Sequence, residues 1–314
     1  MAVTRTRKPV TVDQALATLQ SAATILEGAA MSAARMKRAE TDVAAALIAL
    51  SLEACPLEHG AALCTLAAIN ERQTSSGDMA AAERAVLCLT QALRVFSPGG
   101  FPALHTDLQR RLAVALRSSG DSSGDVVRAL ESAVSAQPAE ADPSARAGLR
   151  LELATATMSW LQREGEATVG ATDALVRATR ALIDAIEIWD RISDWPNLTA
   201  AFLTLGDACV FASAADTEGG GDGALSRAAD AYRRAAQTAF KANDRPAFAR
   251  AQLNLGGVLL QRMDSDSSRR REIEQALDLA GGIFTAEAFP AQHQAVLRNR
   301  AISARRFATA DGGT

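Results

Sequence analysis

The chain has 314 residues, of which 48% are hydrophobic, 22% charged and 4% aromatic, and its net charge at pH 7 is −3. The apolar share is enough for a continuous core, and abundant alanine with few aromatic residues favours helices over a β fold. Because non-specific nucleic-acid affinity comes mainly from Lys and Arg that neutralise phosphates, this charge balance argues against a protein built around a polyanion.

The cysteines and the lack of long apolar segments predict the cellular compartment of the protein. The four cysteines form no Cys-x-x-Cys pair and lie in apolar helical context, which suits buried, reduced thiols: Cys55, Cys64, Cys88 and Cys209. The segment after the basic residues near the N-terminus is interrupted by Asp13, Gln14 and Gln20, so no secretory signal is expected. No stretch approaches the length of a membrane span. We therefore predict a cytoplasmic protein with no membrane association.

The first predicted element begins at Thr11. The segment Thr11-Val12-Asp13-Gln14 has the spacing of a capping box, in which the first and fourth side chains each satisfy the backbone N–H of the other residue. We expect a helix from this point, preceded by a disordered arm over residues 1–10.

One helical pattern then recurs along the chain: a small residue, an apolar residue four positions later, and alanine three positions after that. This spacing puts all three side chains on one helical face, where small residues let another helix approach closely. We name this helix B and its central apolar residue the B anchor. The B anchors are Val43, Leu89, Leu130, Leu182 and Tyr232.

A second pattern, leucine followed by alanine or glycine, marks another helix, which we name A. Its leucines, the A anchors, are Leu66, Leu112, Leu153, Leu205 and Leu255. Each lies 23 residues after the preceding B anchor. A register kept five times identifies a structural repeat. Extending it in both directions predicts further anchors at Ile25, Ile273 and Val296.

Prolines support this register, because proline fits the first turn of a helix, where its missing N–H has no partner to lose. Five prolines lie 13 or 14 residues after a B anchor, and each is expected to open an A helix: Pro56, Pro102, Pro143, Pro196 and Pro246. Pro290 falls later and predicts a less regular last unit.

The connections from A to B vary, with 18 to 29 residues between anchors, so insertions should project from one edge. The largest contain residues 163–172 and 216–223. The second is rich in glycine, but it lacks the Gly-Lys-Ser/Thr ending and the preceding strand of a phosphate-binding loop. A flexible surface loop is the expected structure.

The segment from Pro246 to Gly256, PAFARAQLNLG, resembles the start of a tetratricopeptide repeat, and the preceding Ala228, Tyr232 and Ala235 are similar to that family's small–aromatic–small signature. The resemblance is closest to the long-loop variety found in bacteria beside caspase-like proteases and signalling ATPases. Together with the repeat register, it predicts an all-α fold over residues 11–307, a right-handed α-solenoid of about six antiparallel helix pairs plus a C-terminal capping helix, with a disordered tail at 308–314.

The family implies protein or peptide binding on the concave face lined by A helices. The groove positions carried over from it are Arg110, Arg111, Arg117, Glu152, Thr204, Asp207, Arg250, Asn254 and Gln261. The paired lysine and asparagines that clamp a C-terminal carboxylate in chaperone-binding members are not reproduced, so that ligand is not expected. For each residue, a solvated helix face is the competing interpretation.

Three tryptophans, Trp160, Trp189 and Trp195, fall in one unit of the repeat. Packing in the core or between units is the expected role of such large side chains. Because Trp195 precedes Pro196 at a junction, it is the better candidate for a residue that anchors a partner.

No catalytic residue, metal or cofactor is predicted. His59, His105 and His293 are far apart in sequence, and a zinc site usually needs four ligands, or three and water. Cys55 and His59 could share a helical face, but no second pair stands nearby. The scattered carboxylates among arginines suit i, i+4 pairing better than acid–base catalysis.

These patterns predict a non-catalytic interaction scaffold or adaptor, a bacterial regulatory or signalling protein that binds a protein or peptide, such as a separately encoded caspase-like protease or signalling ATPase. One alternative is an enzyme with its active site in a helical cavity. Another is a regulatory subunit that binds nucleic acid at the basic C-terminal end, formed by Arg269, Arg270, Arg271, Arg298, Arg300, Arg305 and Arg306. No oligomeric state is predicted.

Overall fold

The computed structural model describes residues 10–27, 32–75, 77–120, 124–165, 170–215, 221–262 and 267–311. Within these residues the backbone forms thirteen α-helices and no strand, so the all-α prediction is confirmed. The chain divides into two compact units, Met1–Ala141 and Asp142–Thr314.

Six helices of the first unit are described. They are α1 (Val12–Glu27), α2 (Ala33–Ala49), α3 (Pro56–Ser75), α4 (Met79–Val95), α5 (Pro102–Ser118) and α6 (Gly124–Ala136). Consecutive helices pack on each other, and α1 also contacts α3.

Seven helices of the second unit are described. They are α7 (Pro143–Glu164), α8 (Ala171–Ile192), α9 (Trp195–Ala215), α10 (Asp222–Lys241), α11 (Arg245–Gln261), α12 (Ser267–Gly281) and α13 (Pro290–Asp311). Here too consecutive helices pack on each other, and contacts also join α7 to α9, α9 to α11 and α11 to α13.

The predicted register is present in the cores of these units. All B anchors are buried, and they lie on α2, α4, α6, α8 and α10, with the extrapolated Ile273 buried on α12. The A anchors lie on α3, α5, α7, α9 and α11, where Leu112 and Leu205 are half-buried and the other three are buried. Val296 is buried on α13. The repeat therefore marks the faces on which the helices pack.

The predicted helix starts are also present. Pro56, Pro102, Pro143 and Pro290 are the first residues of their helices, and Pro196 and Pro246 are the second. The capping box forms at α1, where Thr11 N–H donates to Gln14 Oε1 over 3.2 Å and Gln14 N–H donates to Thr11 Oγ1 over 3.3 Å.

The structure describes the two predicted chain ends and the two longest predicted loops only in part. The last helix continues to Asp311, through part of the segment predicted as a tail, because its sequence there is rich in alanine, the best helix former. Residues 1–9 of the predicted arm, residues 312–314 of the tail, and residues 166–169 and 216–220 of the predicted loops lie outside the described residues.

Within a pair, helices run antiparallel and approach closely. Gly60 near the start of α3 faces Phe96 beyond the end of α4, whereas Asn70 near the end of α3 accepts a hydrogen bond from Arg84 near the start of α4, over 2.8 Å. A Cβ added at Gly256 would lie only 2.9 Å from Leu277 of α12. The small residue after the A anchor is therefore what allows the partner helix to pack.

Three connections share a ten-residue motif, and we name these segments the histidine junctions: residues 50–59, 96–105 and 284–293. In each, the histidine Nδ1 lies within hydrogen-bonding distance of the carbonyl oxygen nine residues earlier, at 2.6 Å for His59, 2.8 Å for His105 and 2.9 Å for His293. Since a carbonyl oxygen only accepts, Nδ1 carries the proton and donates in this contact.

A side-chain hydroxyl at the second position of each histidine junction holds the turn. Ser51, Ser97 and Thr285 accept from the backbone N–H three residues later, over 3.1, 3.4 and 3.3 Å. Proline at the seventh position then opens the next helix. The short sequence signal Pro-x-x-His, repeated three times, marks these junctions.

Two other connections, residues 193–197 and 243–247, are shorter, and we name them the aspartate junctions. Ser193 and Asn243 adopt left-handed backbone conformations, with φ of 56° and 57°. The following Asp194 and Asp244 cap the next helix, because their carboxylates accept the N–H groups of Asn197 and Ala247 over 3.3 and 3.0 Å.

One expectation about membranes needs correction. The stretch Trp195–Ala214 is long and apolar enough to cross a membrane by length and composition, with a mean hydropathy of 1.3. It forms most of α9, which is apolar because α7, α8, α10 and α11 all pack against it. A core helix passes the same test, and α9 packs as one.

Candidate functional site

Three of the predicted groove residues come together on two A helices. Asp207 of α9 accepts a hydrogen bond from Asn254 of α11 over 3.3 Å, and its other carboxylate oxygen lies 3.4 Å from Arg250 of the same helix. Tyr232 of α10 also donates to Asp207, over 2.6 Å. The cluster thus links three consecutive helices.

Burial sets the electrostatics of this cluster. It raises the pKa of Asp207, while the bond from Tyr232 and the charge of Arg250 act in the opposite direction. Burial also raises the pKa of Tyr232, and the neighbouring Asp207 adds to the effect. Because these groups satisfy each other, the cluster holds the helices together and offers few free polar groups to a partner.

Two other predicted residues are engaged within the chain. Arg111 of α5 pairs with Glu71 of α3, with an Nε–Oε1 distance of 3.0 Å, and donates to the carbonyl oxygen of Cys64 over 3.3 Å. Thr204 donates to the Ala200 carbonyl oxygen of its own helix over 2.9 Å. Arg111 therefore joins the two A helices α3 and α5, whereas Thr204 is engaged within its own helix.

The remaining predicted residues are not gathered into one site. Arg110 and Arg117 are exposed on α5, Gln261 is exposed at the end of α11, and Glu152 is half-buried on α7. None of the three cavities of about 370, 450 and 470 Å³ described below is lined by them. The concave face of A helices was the predicted binding site, and its side chains contribute mainly to internal contacts.

The three tryptophans differ in burial and in their contacts. Trp189 is buried and donates to Ser144 Oγ over 3.2 Å, and Trp160 packs against the core beside Met158. Trp195 is half-buried, with the Nζ atom of Lys241 lying 4.1 Å from its ring centroid. The predicted anchor therefore holds a cation in place at the end of α10.

Lys241 belongs to the rim of a cavity of about 470 Å³ between α10 and α12, with α11 as its floor. We name this the glutamine cavity, because each helix contributes one glutamine: Gln237 from α10, Gln252 from α11 and Gln275 from α12. Gln237 and Gln275 are exposed and Gln252 is half-buried, and among the described residues none of their side-chain amides bonds another protein group.

Apolar side chains line the same cavity. Phe240 leaves 78% of its surface exposed, which is unusual for an aromatic residue, and Phe248 and Leu279 lie nearby. The volume falls within the range of ligand pockets, about 300–1,000 Å³. The cavity can therefore bury an apolar side chain while three amides surround it.

Ion pairs close the other end of the glutamine cavity. Arg233 of α10 bonds Glu272 of α12 over 2.8 Å and Asp230 of its own helix over 2.7 Å. Both carboxylates are thus neutralised by an arginine. Lys241, in contrast, has no carboxylate within ion-pair distance among the described residues, and its Nζ atom lies over the Trp195 ring of α9, which does not line the cavity.

Two cavities of the first unit occupy equivalent positions between consecutive B helices. One, of about 370 Å³, lies between α4, α5 and α6, and its Gln109 and Ser132 both lie 3.3 Å from Nε2 of His105. The other, of about 450 Å³, contains Arg84, which bonds Gln73 and Asp78. Arg84, Gln73, Asp78, Gln109 and Ser132 are thus already paired within the chain, whereas the three amides of the glutamine cavity are not.

The histidines and three of the cysteines have structural surroundings in the described residues. The described residues contain no group of three or more His, Cys, Asp or Glu side chains that could hold a metal. Each histidine is used in its own junction. Burial raises the pKa of the Cys64 thiol to about 11, and it also raises the pKa of Cys88 and Cys209, so these thiols are poor nucleophiles at neutral pH.

The basic C-terminal end is partly neutralised within the chain. Arg300 pairs with Asp278 over 2.7 Å, and Arg270 pairs with Glu274 over 3.0 Å. Arg306 donates to the carbonyl oxygens of Leu260 and Arg262. A phosphate backbone would have to compete with these internal acceptors.

The fold defines an all-helical protein with a cavity between three consecutive helices of its second unit. No protein-family model and no curated protein matches the chain. Among solved structures it is similar to the crystal structure of BtubC (BKLC) from P. vanneervenii, with 17% identity, 86% of this chain and 90% of that chain covered, and a TM-score of 0.45. At this identity the likeness does not extend to individual residues, so the site is defined from this chain alone.

Sequence reasoning missed the glutamine cavity because it assigned binding to the A helices. The sequence did carry one signal, Phe240, which lies eight residues after the B anchor Tyr232 and outside the small–apolar–alanine pattern. A large aromatic residue that does not lie on the packing face of its helix indicates an exposed apolar surface, which another molecule can cover.

Proposed function

We propose that the chain is a non-catalytic interaction protein that holds an extended segment of a partner protein in the glutamine cavity. The observation that carries this proposal is the set of three unpaired glutamine amides, one from each of three consecutive helices, around the exposed ring of Phe240.

Side-chain amides are suited to this task because each has both a donor and an acceptor. An extended peptide presents N–H and C=O groups alternately, and these groups must be satisfied when the peptide is covered. Gln237, Gln252 and Gln275 could pair with them whatever the peptide's sequence. Phe240 and Leu279 would then bury an apolar side chain of the peptide, as aromatic residues do at the centre of many interfaces.

Several finer predictions belong with this proposal. The cytoplasmic location, a separately encoded protease or ATPase as the partner, and the right-handed stacking of tetratricopeptide-like helix pairs within each unit remain predictions. Antiparallel helix packing and the buried anchors support the stacking, and the structural use of all three histidines supports a non-catalytic role.

A random-peptide display selection against the purified full chain tests the proposal. Enriched peptides are then synthesised, and their dissociation constants are measured by fluorescence anisotropy. The double variant Gln237→Ala/Gln275→Ala should weaken binding about tenfold, from two lost hydrogen bonds of about 0.7 kcal/mol each. Phe240→Ser should weaken it at least tenfold, as expected for an aromatic anchor worth about 2 kcal/mol.

Gln261→Ala is the matched control, because Gln261 is an exposed glutamine at the end of the A helix α11, outside the glutamine cavity. It should leave affinity within about twofold of the unmodified chain, since most exposed contacts are near neutral. Circular dichroism confirms that each variant is folded. If the selection yields no common peptide sequence, or if Gln261→Ala and Arg117→Ala abolish binding while the cavity variants do not, the proposal is wrong.

A further inference from the structure

The last helix of the second unit exposes a face that the corresponding helices keep covered. We infer that α13 is a docking site for an amphipathic helix of a partner protein. This helix occupies the place that a B helix occupies on each of the A helices α3, α5, α7, α9 and α11. The inference concerns a second surface of the chain and does not depend on the glutamine cavity.

The repeat register identifies α13 as an A helix. Its anchor Val296 is buried and lies 23 residues after the buried Ile273 of the B helix α12. Pro290 opens it, as prolines open the other A helices. The helix packs against α11 and α12, which are the preceding A helix and the preceding B helix.

On the five preceding A helices, two positions after the anchor are buried against the B helix that follows. The residues directly after the anchor are Ala67, Ala113, Ala154, Gly206 and Gly256. The residues three positions further on are Asn70, Leu116, Thr157, Cys209 and Leu259. The contacts are direct, because Tyr232 of α10 lies against Gly206, and Leu277 of α12 lies against Gly256. These positions therefore mark the side of an A helix that receives the next helix.

The corresponding side of α13 is exposed. Leu297, directly after the anchor, leaves 42% of its surface exposed, and Arg300 is exposed with its guanidinium bonded to Asp278 of α12 over 2.7 Å. Further exposed residues follow Leu297 at intervals of four, three and four positions: Ala301, Ala304 and Ala308. This spacing places them on one side of the helix with Leu297. We name Leu297 and these three alanines the open face of α13.

The repeat indicates what kind of element covers such a face. Each of the five preceding A helices packs against a helix, namely α4, α6, α8, α10 or α12. The alanines of the open face let another helix approach closely, and Leu297 can insert between the small side chains of that helix. The occupant is therefore an amphipathic helix with the small–apolar–alanine spacing of a B helix.

Two arginines border the open face and specify the charge of the occupant. Arg298 and Arg305 are exposed, directly follow Leu297 and Ala304, and pair with no carboxylate among the described residues. A helix with acidic residues along this edge gains ion pairs. A second copy of α13 in antiparallel contact would instead bring arginines close to arginines, and like charges repel. The charge thus favours an acidic helix of another protein over self-association.

Three labelled peptides test the inference with the full chain. The acidic peptide has the sequence of the B helix α8, Ala171–Ile192, with glutamate in place of its three exposed arginines, Arg177, Arg180 and Arg191. The second peptide keeps these arginines. The third is the acidic peptide with Ala178→Gln and Ala185→Gln, which fill the space that a neighbouring helix needs.

Fluorescence anisotropy gives the dissociation constant of each peptide. The acidic peptide should bind about fivefold more tightly than the peptide with arginines, as expected for two exposed ion pairs. The peptide with Ala178→Gln and Ala185→Gln should bind at least tenfold more weakly than the acidic peptide, because its glutamines prevent close approach.

Variants of α13 locate the binding site. Leu297→Glu should weaken binding of the acidic peptide at least tenfold, because it would bury a charge. Ala304→Gln adds no charge and should weaken it similarly by filling the open face. Ile302→Glu is the matched control: Ile302 is also an exposed apolar residue of α13, but it lies five positions from Leu297 and therefore on another side of the helix. It should change affinity by less than about threefold, since exposed contacts outside an interface are near neutral.

The arginines are tested by the double variant Arg298→Glu/Arg305→Glu. It should reverse the preference, so that the peptide with arginines binds more tightly than the acidic peptide. A role of these arginines in folding alone would lower both affinities together and would not exchange the preferred peptide. Circular dichroism confirms that each variant is folded.

Several outcomes would overturn the inference. The acidic peptide could fail to bind up to its solubility limit, or Leu297→Glu and Ile302→Glu could weaken it equally. A dimer of the unmodified chain in sedimentation velocity that is lost in Leu297→Glu would show that a second copy covers the face. The variant Gln237→Ala/Gln275→Ala should leave binding of the acidic peptide unchanged, which separates this surface from the glutamine cavity.

Discussion

The histidine junctions and the aspartate junctions make the same connection, from one helix pair to the next, by different physical means. In a histidine junction, a side chain from the new helix reaches back to a carbonyl group at the end of the old one. In an aspartate junction, a left-handed backbone residue ends the first helix and a carboxylate begins the second. A histidine junction therefore depends on the imidazole ring. An aspartate junction depends on a left-handed backbone conformation, which costs energy for any residue except glycine.

Substitutions should therefore affect the two kinds of junction differently. Unfolding of each unit can be followed separately, because all three tryptophans, Trp160, Trp189 and Trp195, lie in the second unit. Tryptophan fluorescence reports on that unit, and far-ultraviolet circular dichroism on both.

The largest effect is expected for His105→Ala in the first unit. His105 is buried, its Nδ1 contacts the Phe96 carbonyl oxygen, and its Nε2 lies near Ser132 and Gln109. Removing the ring leaves a cavity and unsatisfied polar groups, so the free energy of unfolding in urea should fall by about 3 kcal/mol. His59→Ala is the matched control, because the half-buried ring of His59 makes the same carbonyl contact and should cost about 1.5 kcal/mol. Equal, small losses would mean that the ring contacts do not stabilise the junctions.

A smaller effect is expected for Asp244→Ala in the second unit. The carboxylate of Asp244 accepts the Ala247 N–H at the start of α11, and losing this cap should lower the free energy of unfolding by about 1 kcal/mol. Asp244→Asn keeps an acceptor and should stay within about 0.3 kcal/mol of the unmodified chain, since Asn caps as well as Asp. The change is measured by tryptophan fluorescence in urea. A similar loss with Asn would show that charge, and not the hydrogen bond, stabilises α11.

The smallest effect is expected from substitution by glycine, which should raise the free energy of unfolding in an aspartate junction and lower it in a histidine junction. Ser193→Gly should raise the free energy of unfolding by about 0.5 kcal/mol, because glycine adopts the φ of 56° without strain. Ala54→Gly, in a histidine junction where φ is not positive, should lower it by about 0.5 kcal/mol through the greater entropy of the unfolded chain. Losses at both positions would indicate that Ser193 contributes more than its backbone conformation.

Much of the fold could be predicted because the spacing of small and apolar residues in the sequence matches the spacing of buried positions on the helices. A B anchor such as Leu89 must be buried and must have small neighbours at helical spacing, so the pattern and the core coincide. The prolines fixed the helix starts independently. The left-handed Ser193 and Asn243 could not be predicted with the same ease, since neither is glycine.

The candidate site was harder to predict because its residues are ordinary when taken singly. Gln237, Gln252 and Gln275 are typical surface residues of helices, and only the packing of α10, α11 and α12 brings them to one cavity. Asp207, Arg250 and Asn254 were predicted as groove positions that contact a partner, and the structure shows that they also bond each other across two A helices. Nor did the sequence show that the three histidines are equivalent, because they were weighed as metal ligands and not as parts of a repeated turn.

The histidine junction has a consequence for protein design. The hydroxyl and imidazole contacts that define it join residues within a single ten-residue segment. Such a connector should keep its bend when it is grafted between unrelated helical hairpins, provided that the host packs against the histidine ring as the surroundings of His105 do. The same sequence cassette could then serve to extend or shorten artificial helical arrays one hairpin at a time.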